Sequence, residues 1–360
     1  MRARHDIQGN ILRGYKRHPH AAYLLARVDD AAKARALLRR WLDEDRIATE
    51  RDWDDTPATR LTVAFTHPGL TALGVDCTPF RRFPDFCEGM YARARAHLGD
   101  LGANDPGEWV LKDEVHVIFT VYGRSEPARD GAAKELGAEL AGAGLDVVHD
   151  QRAALLPDGR EHFGFNDGFS QPALPGVAED RRSRRGEGVQ RWRLRLGGVQ
   201  WRDVKLGEFV LGHEDEDGVV PGGREPLLVN GTFMVWRKLQ QDVDAFNGWI
   251  QAHAGDGAHA AETLKAKILG RWPNGDSLIR RPRYTDESGG DDDDARRHTL
   301  QINDFTYDDD PHGVRCPLGA HVRRSNPRDA LGFRTERTRR NRIIRRGLPY
   351  VDRDETRGLI

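Results

Sequence analysis

In the stretch EHFGFNDGFSQP, residues 161–172, the carboxylate of Asp167 stands between Gly164 and Gly168 and among Phe163, Phe165 and Phe169. Glycines let the backbone turn tightly and let another group come close, while the phenylalanines partly exclude water. A carboxylate in that frame is either a turn-former or an acid–base catalyst. A second concentration of chemistry lies in CPLGAHVRRSNPR, residues 316–328, where His321 follows Gly319 and Ala320. Small neighbours leave room for a flat cofactor, and a neutral imidazole is a common axial ligand of heme iron. The plainer alternative is a hydrogen-bonded histidine beneath a basic surface. The arginine-rich RRNRIIRRGLPY, residues 339–350, follows at short distance.

Other catalytic patterns fail on their own geometry. GFSQP at 168–172 begins like a nucleophile elbow around Ser170, but Pro172 takes the place of the second glycine. HEDEDG at 213–218 resembles a calcium loop, yet His213 and Arg224 fall where Asp and Glu are required. There is no Walker loop, no G-x-G-x-x-G after a strand and no H-E-x-x-H.

The elements that must position Asp167 and His321 come next. A chain of 360 residues exceeds the usual single core, so two domains are expected, over 1–157 and 158–360. Lys and Arg (56) nearly cancel Asp and Glu (57), leaving a formal charge of -1 and no protein-wide field for nucleic acid or a membrane. Three cysteines, Cys77, Cys87 and Cys316, form no C-x-x-C pair, which excludes a disulfide scaffold, a thiolate zinc site and covalent c-type heme. No apolar run reaches the length of a membrane span, and no apolar region follows the basic residues of MRARHDIQGNILRG. A soluble cytoplasmic protein is the expectation.

Periodicity predicts a strand at 21–28, a helix at 30–44, a strand at 60–67, a helix at 68–74, a strand at 115–123, a helix at 126–143 and a strand at 145–155. This β-α-β-β-α-β order is ferredoxin-like, an α+β arrangement with an antiparallel sheet. In the second half GTFMVWRKL (231–239) reads as a strand and 241–253 and 260–271 as helices. The arginine-rich run at 178–195 and the acidic run at 284–298 read as solvated loops.

Together these segments resemble the dye-decolorizing peroxidase family. The resemblance runs through HDIQGNILRGY (5–15), RLTVAFTHPGLTALG (60–74), VHVIFTVYG (115–123), FGFNDGFSQP (163–172), VNGTFMVWRKLQQDV (229–243), ILGRWPNGDSL (268–278), CPLGAHVRRSNPR and IIRRGLPY. The family's G-x-x-D-G signature is present as Gly164, Phe165, Asn166, Asp167 and Gly168. The resemblance implies two ferredoxin-like units, the second carrying the heme pocket. It makes His321 the axial ligand of one heme b per chain, Asp167 the distal acid–base residue and Arg345 the arginine that stabilises charge on peroxide, with Arg346 one position away as the competing assignment. Arg323, Arg324 and Arg328 become candidate partners for the heme carboxylates, and Trp201, Trp236 and Tyr307 candidate electron relays. The implied activity is reduction of hydrogen peroxide coupled to oxidation of small organic donors such as dyes and phenolics, with no nucleic-acid or membrane partner.

The chain departs from the family at one end. Family members continue after R-G-L-P-Y with glycine and then through a further strand and helical region, whereas here Val351 follows Tyr350 and the sequence stops at Ile360. A second unit shortened in this way is expected to expose a sheet edge and to favour a homo-oligomer. The competing functional expectation is a heme-binding or heme-sensing protein that turns over poorly.

Overall fold

The computed structural model describes residues 5–15, 17–50, 56–111, 115–166, 171–172, 204–284, 303, 305–331, 338 and 340–360, together with the backbone of 188–189 and 200–201. Asp167, Gly168 and Ser170 lie outside the described residues.

Strand β1 (His20–Val28) shows how one sheet serves two layers. Side chains alternate across a strand, so Ala22, Leu24 and Ala26 turn to one face and Ala21, Tyr23 and Leu25 to the other. The first set packs with helices α2 (Ala31–Asp43) and α5 (Glu126–Gly142), around Trp41 and Phe119, whose rings meet edge to face at 5.7 Å. The second set packs with Tyr122 and Ala153 against Tyr350, Trp236, Leu348 and Ile360 of the second half. The two halves thus meet across a shared apolar layer.

Strands β2 (Thr59–Phe65), β3 (Val117–Gly123) and β4 (Leu145–Ala154) complete a four-stranded sheet of order β2-β3-β1-β4. Every neighbouring pair is antiparallel, which is the ferredoxin-like arrangement expected from the pattern. Local chemistry sets the helix starts: the Asp30 carboxylate accepts the N–H groups of Ala32 and Lys33, and Ser125 caps α5 with Pro127 in its first turn. Helices α1 (Gly9–Leu12), α3 (His67–Ala72) and α4 (Pro84–Arg93) decorate this unit.

The second half carries helices α6 (Val243–His253) and α7 (Ala260–Leu269), a two-residue pairing of β5 (Gly188–Val189) with β6 (Gln200–Trp201), and a sheet of order β7-β9-β8. That sheet is short: β7 spans Leu239–Gln240, β8 Pro349–Val351 and β9 Arg357–Leu359. The strand expected over 231–239 therefore shrinks to its last residue and Gln240. Its side chains are held instead by tertiary contacts, with Phe233 against Phe83 and Phe86, Trp236 against Tyr23, Arg237 paired to Asp100 and Lys238 to Asp352. Aromatic and β-branched residues favour a half-buried pleated surface, but a ladder also needs a neighbouring edge.

Candidate active site

The segment leading to Asp167 is folded by Glu161. Its carboxylate accepts the N–H of Phe163 at 3.0 Å and of Phe165 at 2.9 Å, and also the carboxamide of Gln241. The backbone closes around it, Gly164 N–H donating to Glu161 O at 2.8 Å and Glu161 N–H to Phe165 O at 2.9 Å. Gly164 sits at φ +91°, a conformation that disfavours any side chain, so the glycine of the signature serves the turn itself. Phe165 is buried and Phe163 stacks on Phe246 with ring centroids 4.4 Å apart. Three links then fix the turn in space: Glu161 to Gln241, His162 to the Tyr350 carbonyl at 2.9 Å, and Asn166 N–H to the Pro273 carbonyl at 2.9 Å.

The loop after α7 joins the candidate segments. Gly270 ends α7 at φ +92°, and its missing Cβ leaves space for Val322, Cys316 and Ala320, so the turn that bears His321 lies directly against it. Pro273 holds Asn166, and the buried Arg271 donates to Gly275 O at 2.9 Å and to Asn303 Oδ1 at 2.8 Å. Burial, and then the charges of Arg328 and Arg345, push the Arg271 guanidinium down to about 10. A loop of about one turn thus contacts the signature segment and the His321 turn while sharing a field with two further arginines.

His321 is the first residue of a short helix, His321–Ser325, and is exposed. The turn is secured from beneath by Arg323, buried with only 3% of its side chain accessible. Its guanidinium bonds Asp310 at 3.2 Å, the Cys316 carbonyl at 2.9 Å and the Asp310 carbonyl at 2.9 Å, and lies 4.3 Å over the Tyr307 ring. Burial disfavours the Asp310 carboxylate, yet the N–H groups of Arg315 and Cys316 and the Arg323 charge hold its carboxyl below the ordinary range. Proximity to His321 made Arg323, Arg324 and Arg328 equivalent in sequence; in space they differ. Arg323 points inward, Arg324 is exposed, and Arg328 is buried at φ +51° with its guanidinium on the carbonyls of Asn303 and Phe305 and 3.9 Å from the Phe305 ring centroid.

Arg345 and Arg346 also separate. Arg346 reaches α1, donating to Asn10 O at 2.7 Å and Ile11 O at 3.1 Å, and it shares the Arg345 carbonyl, to which it donates at 3.1 Å. Arg345 is instead bound to the signature segment through Gln171, 174 residues distant in sequence. Among the relay candidates, Tyr307 is fully buried, Trp236 packs on Tyr23, and the Trp201 side chain lies outside the described residues. Glu161, Gly270 and Gln171 were not singled out from sequence. Gly270 had a legible signal as the glycine closing a helical pattern; Glu161 and Gln171 act through distant partners and had none.

Fold and site define an α+β protein with a histidine-bearing turn and an arginine bound to the signature segment. Residues 6–155 match the DyP dimeric alpha+beta barrel domain. Over nearly its whole length the chain is similar to dye-decolorizing peroxidases. It is 29% identical over 360 residues to the dye-decolorizing peroxidase msp1 of Mycetinis scorodonius, covering 96% of this chain and 64% of that protein. The corresponding protein of Mycena epipterygia is 30% identical over 96% of this chain and 63% of its own length. A solved dye-decolorizing peroxidase in complex with 2,6-dimethoxyphenol superposes with a TM-score of 0.76 at 26% identity, over 98% of this chain and 79% of that one. The chain therefore spans somewhat under two thirds of the length of these fungal relatives. Peroxidases of this family depend on heme.

Proposed function

We propose that this chain is a heme-dependent peroxidase that reduces hydrogen peroxide and oxidises small organic donors, dyes and phenolics among them. The observation that carries this reading is the convergence on one loop, 270–278, of the signature segment, the turn bearing His321 and the field of Arg328 and Arg345. Family likeness, including that to a protein solved with 2,6-dimethoxyphenol, supports it.

The residues present fit a heme. His321 is exposed on a turn braced by Arg323 and Asp310, so its imidazole is accessible as an axial ligand. Burial first, and then the like charges of Arg328 and Arg345, depress Arg271, and heme carboxylates would offset that repulsion. Arg324, exposed beside His321, is a further partner for a carboxylate, whereas Arg323 braces the turn. We assign one heme b per chain, the second unit beginning at residue 158. When bound, the heme would supply the redox chemistry that links peroxide reduction to one-electron oxidation of donors.

The chain's own residues then do the following. Asp167 takes the proton from one peroxide oxygen and delivers it to the other, which leaves as water. An ordinary aspartate titrates near ~3.9, so the base form is present in mild acid. Arg345 stabilises the negative charge that develops on the departing oxygen. Phe163 and Phe165 restrict water beside the signature turn, and Glu161 fixes the direction in which the chain enters Asp167. Among the described residues no helix is long and apolar enough to cross a membrane. The three cysteines are free thiols, as suits a reducing, cytoplasmic compartment. The test is Asp167→Asn in the heme-loaded chain: the rate of reaction with peroxide should fall at least about a hundredfold, and an unchanged rate would remove Asp167 from the mechanism.

A further inference from the structure

We propose that Gln171 is a positioning residue for peroxide activation, holding Arg345 in register with the signature loop; this rests on the peroxidase reading of Asp167 and Arg345. One carboxamide engages both polar groups of the Arg345 backbone. Arg345 N–H donates to Gln171 Oε1 at 3.2 Å, and Gln171 Nε2 donates to Arg345 O at 3.3 Å. A carboxamide carries a donor and an acceptor in one plane, matching a backbone N–H and C=O as a strand neighbour would. Asparagine is the only other carboxamide side chain, and it is one methylene too short to keep the same reach.

The setting gives the clamp its consequence. Arg342–Leu348 lies in neither helix nor strand, so its course depends on individual anchors. Ile344 packs against the cluster of Ile7, Leu12, Val204, Phe209 and Val210, and Arg346 grips the carbonyls of α1. Both of those anchors tie the segment to the amino-terminal region. Gln171, which follows Asp167 by four residues in the sequence, ties it to the carboxy-terminal end of FGFNDGFSQP. The backbone of Arg345 is thereby held to the end of the sequence segment that contains Asp167. A displacement of about an ångström is enough to matter to such geometry.

The test compares Gln171→Met, similar in length but without either hydrogen bond, and Gln171→Glu, which keeps only the acceptor. In the heme-loaded full chain the second-order rate with hydrogen peroxide should fall about tenfold in Gln171→Met and less in Gln171→Glu, with the donor KM unchanged. Hydrogen exchange at the Arg345 amide should quicken in the same order, with or without heme. Adding Gln171→Met to Arg345→Leu should cost nothing further, because the first residue acts only through the second. Wild-type exchange and peroxide rate in Gln171→Met, or losses that simply add in the double variant, would overturn the proposal. An Arg345→Leu variant with undiminished peroxide rate would instead bring down the underlying reading of Arg345, and the functional role of the clamp with it. Should Gln171→Met fail to fold, Gln171→Glu alone decides, by whether Arg345 exchange and the peroxide rate change together.

Discussion

Replacing Asp310 by asparagine should loosen the turn that carries His321 more than any nearby surface change. Asp310 and Arg323 each have 3% of their side chain accessible, so their charges are taken from water together. Breaking a buried pair by neutralising one partner leaves the other charge uncompensated, which costs about 3–5 kcal/mol. The lower end applies here, because Arg323 keeps its bonds to the carbonyls of Cys316 and Asp310. About 3 kcal/mol corresponds to a loss of protection of roughly a hundredfold. The assay is hydrogen exchange at the amides of Arg315 and Cys316, which donate to the Asp310 carboxylate. Adding Arg323→Met should recover part of the loss, since the stranded cation is then gone. Exchange in Asp310→Asn within roughly threefold of wild type would refute the claim that this pair braces the turn. The same pair sets a pH response. The Asp310 carboxyl is depressed in the fold, so its contribution is present above the unfolded value near ~3.9 and is lost as pH falls through the lower folded value.

Gly270→Ala should destabilise by about 2–3 kcal/mol, since the residue needs φ +92° and a Cβ would collide with Val322 Cγ2; denaturant unfolding measures the loss, and heme titration should show weaker binding because the His321 turn is what must move. Asp308 is pushed up to about 6, first by a hydrogen bond shared with Asp329 and then by burial and neighbouring carboxylates. A carboxyl raised above its unfolded value stabilises the protonated fold, so its contribution fades as pH rises from about 4 through 6. Asp308→Asn should therefore gain stability over the parent at pH 8 and none near pH 4, and equal gains at both would show that the pair does not titrate in this window.

The first unit was legible because its elements are local: alternation in β1 and β3, an Asp30 cap and a Ser125–Pro127 start can each be read within a few residues. The second half was less so, since Gly231–Lys238 has strand composition but is placed by rings and ion pairs from residues as distant as Phe83 and Asp352. Residue types at the site were visible as Asp167, His321 and a basic tail. Their division of labour was not. Nothing in RR told Arg345 from Arg346 until one proved bound to Gln171 and the other to α1. Likewise Arg323 and Arg324 are adjacent in sequence and opposite in burial, because a short helix sends neighbours to different sides.

The central claim is heme-dependent peroxidase activity with His321 as the axial ligand. It is tested most directly by loading the full chain with heme b and following hydrogen peroxide-dependent oxidation of 2,6-dimethoxyphenol, with His321→Ala in parallel. The account predicts turnover by the parent at stoichiometric heme and loss of both the bound-heme spectrum and turnover in the variant. A parent that binds heme yet consumes no peroxide, or a variant that retains both spectrum and rate, would contradict it.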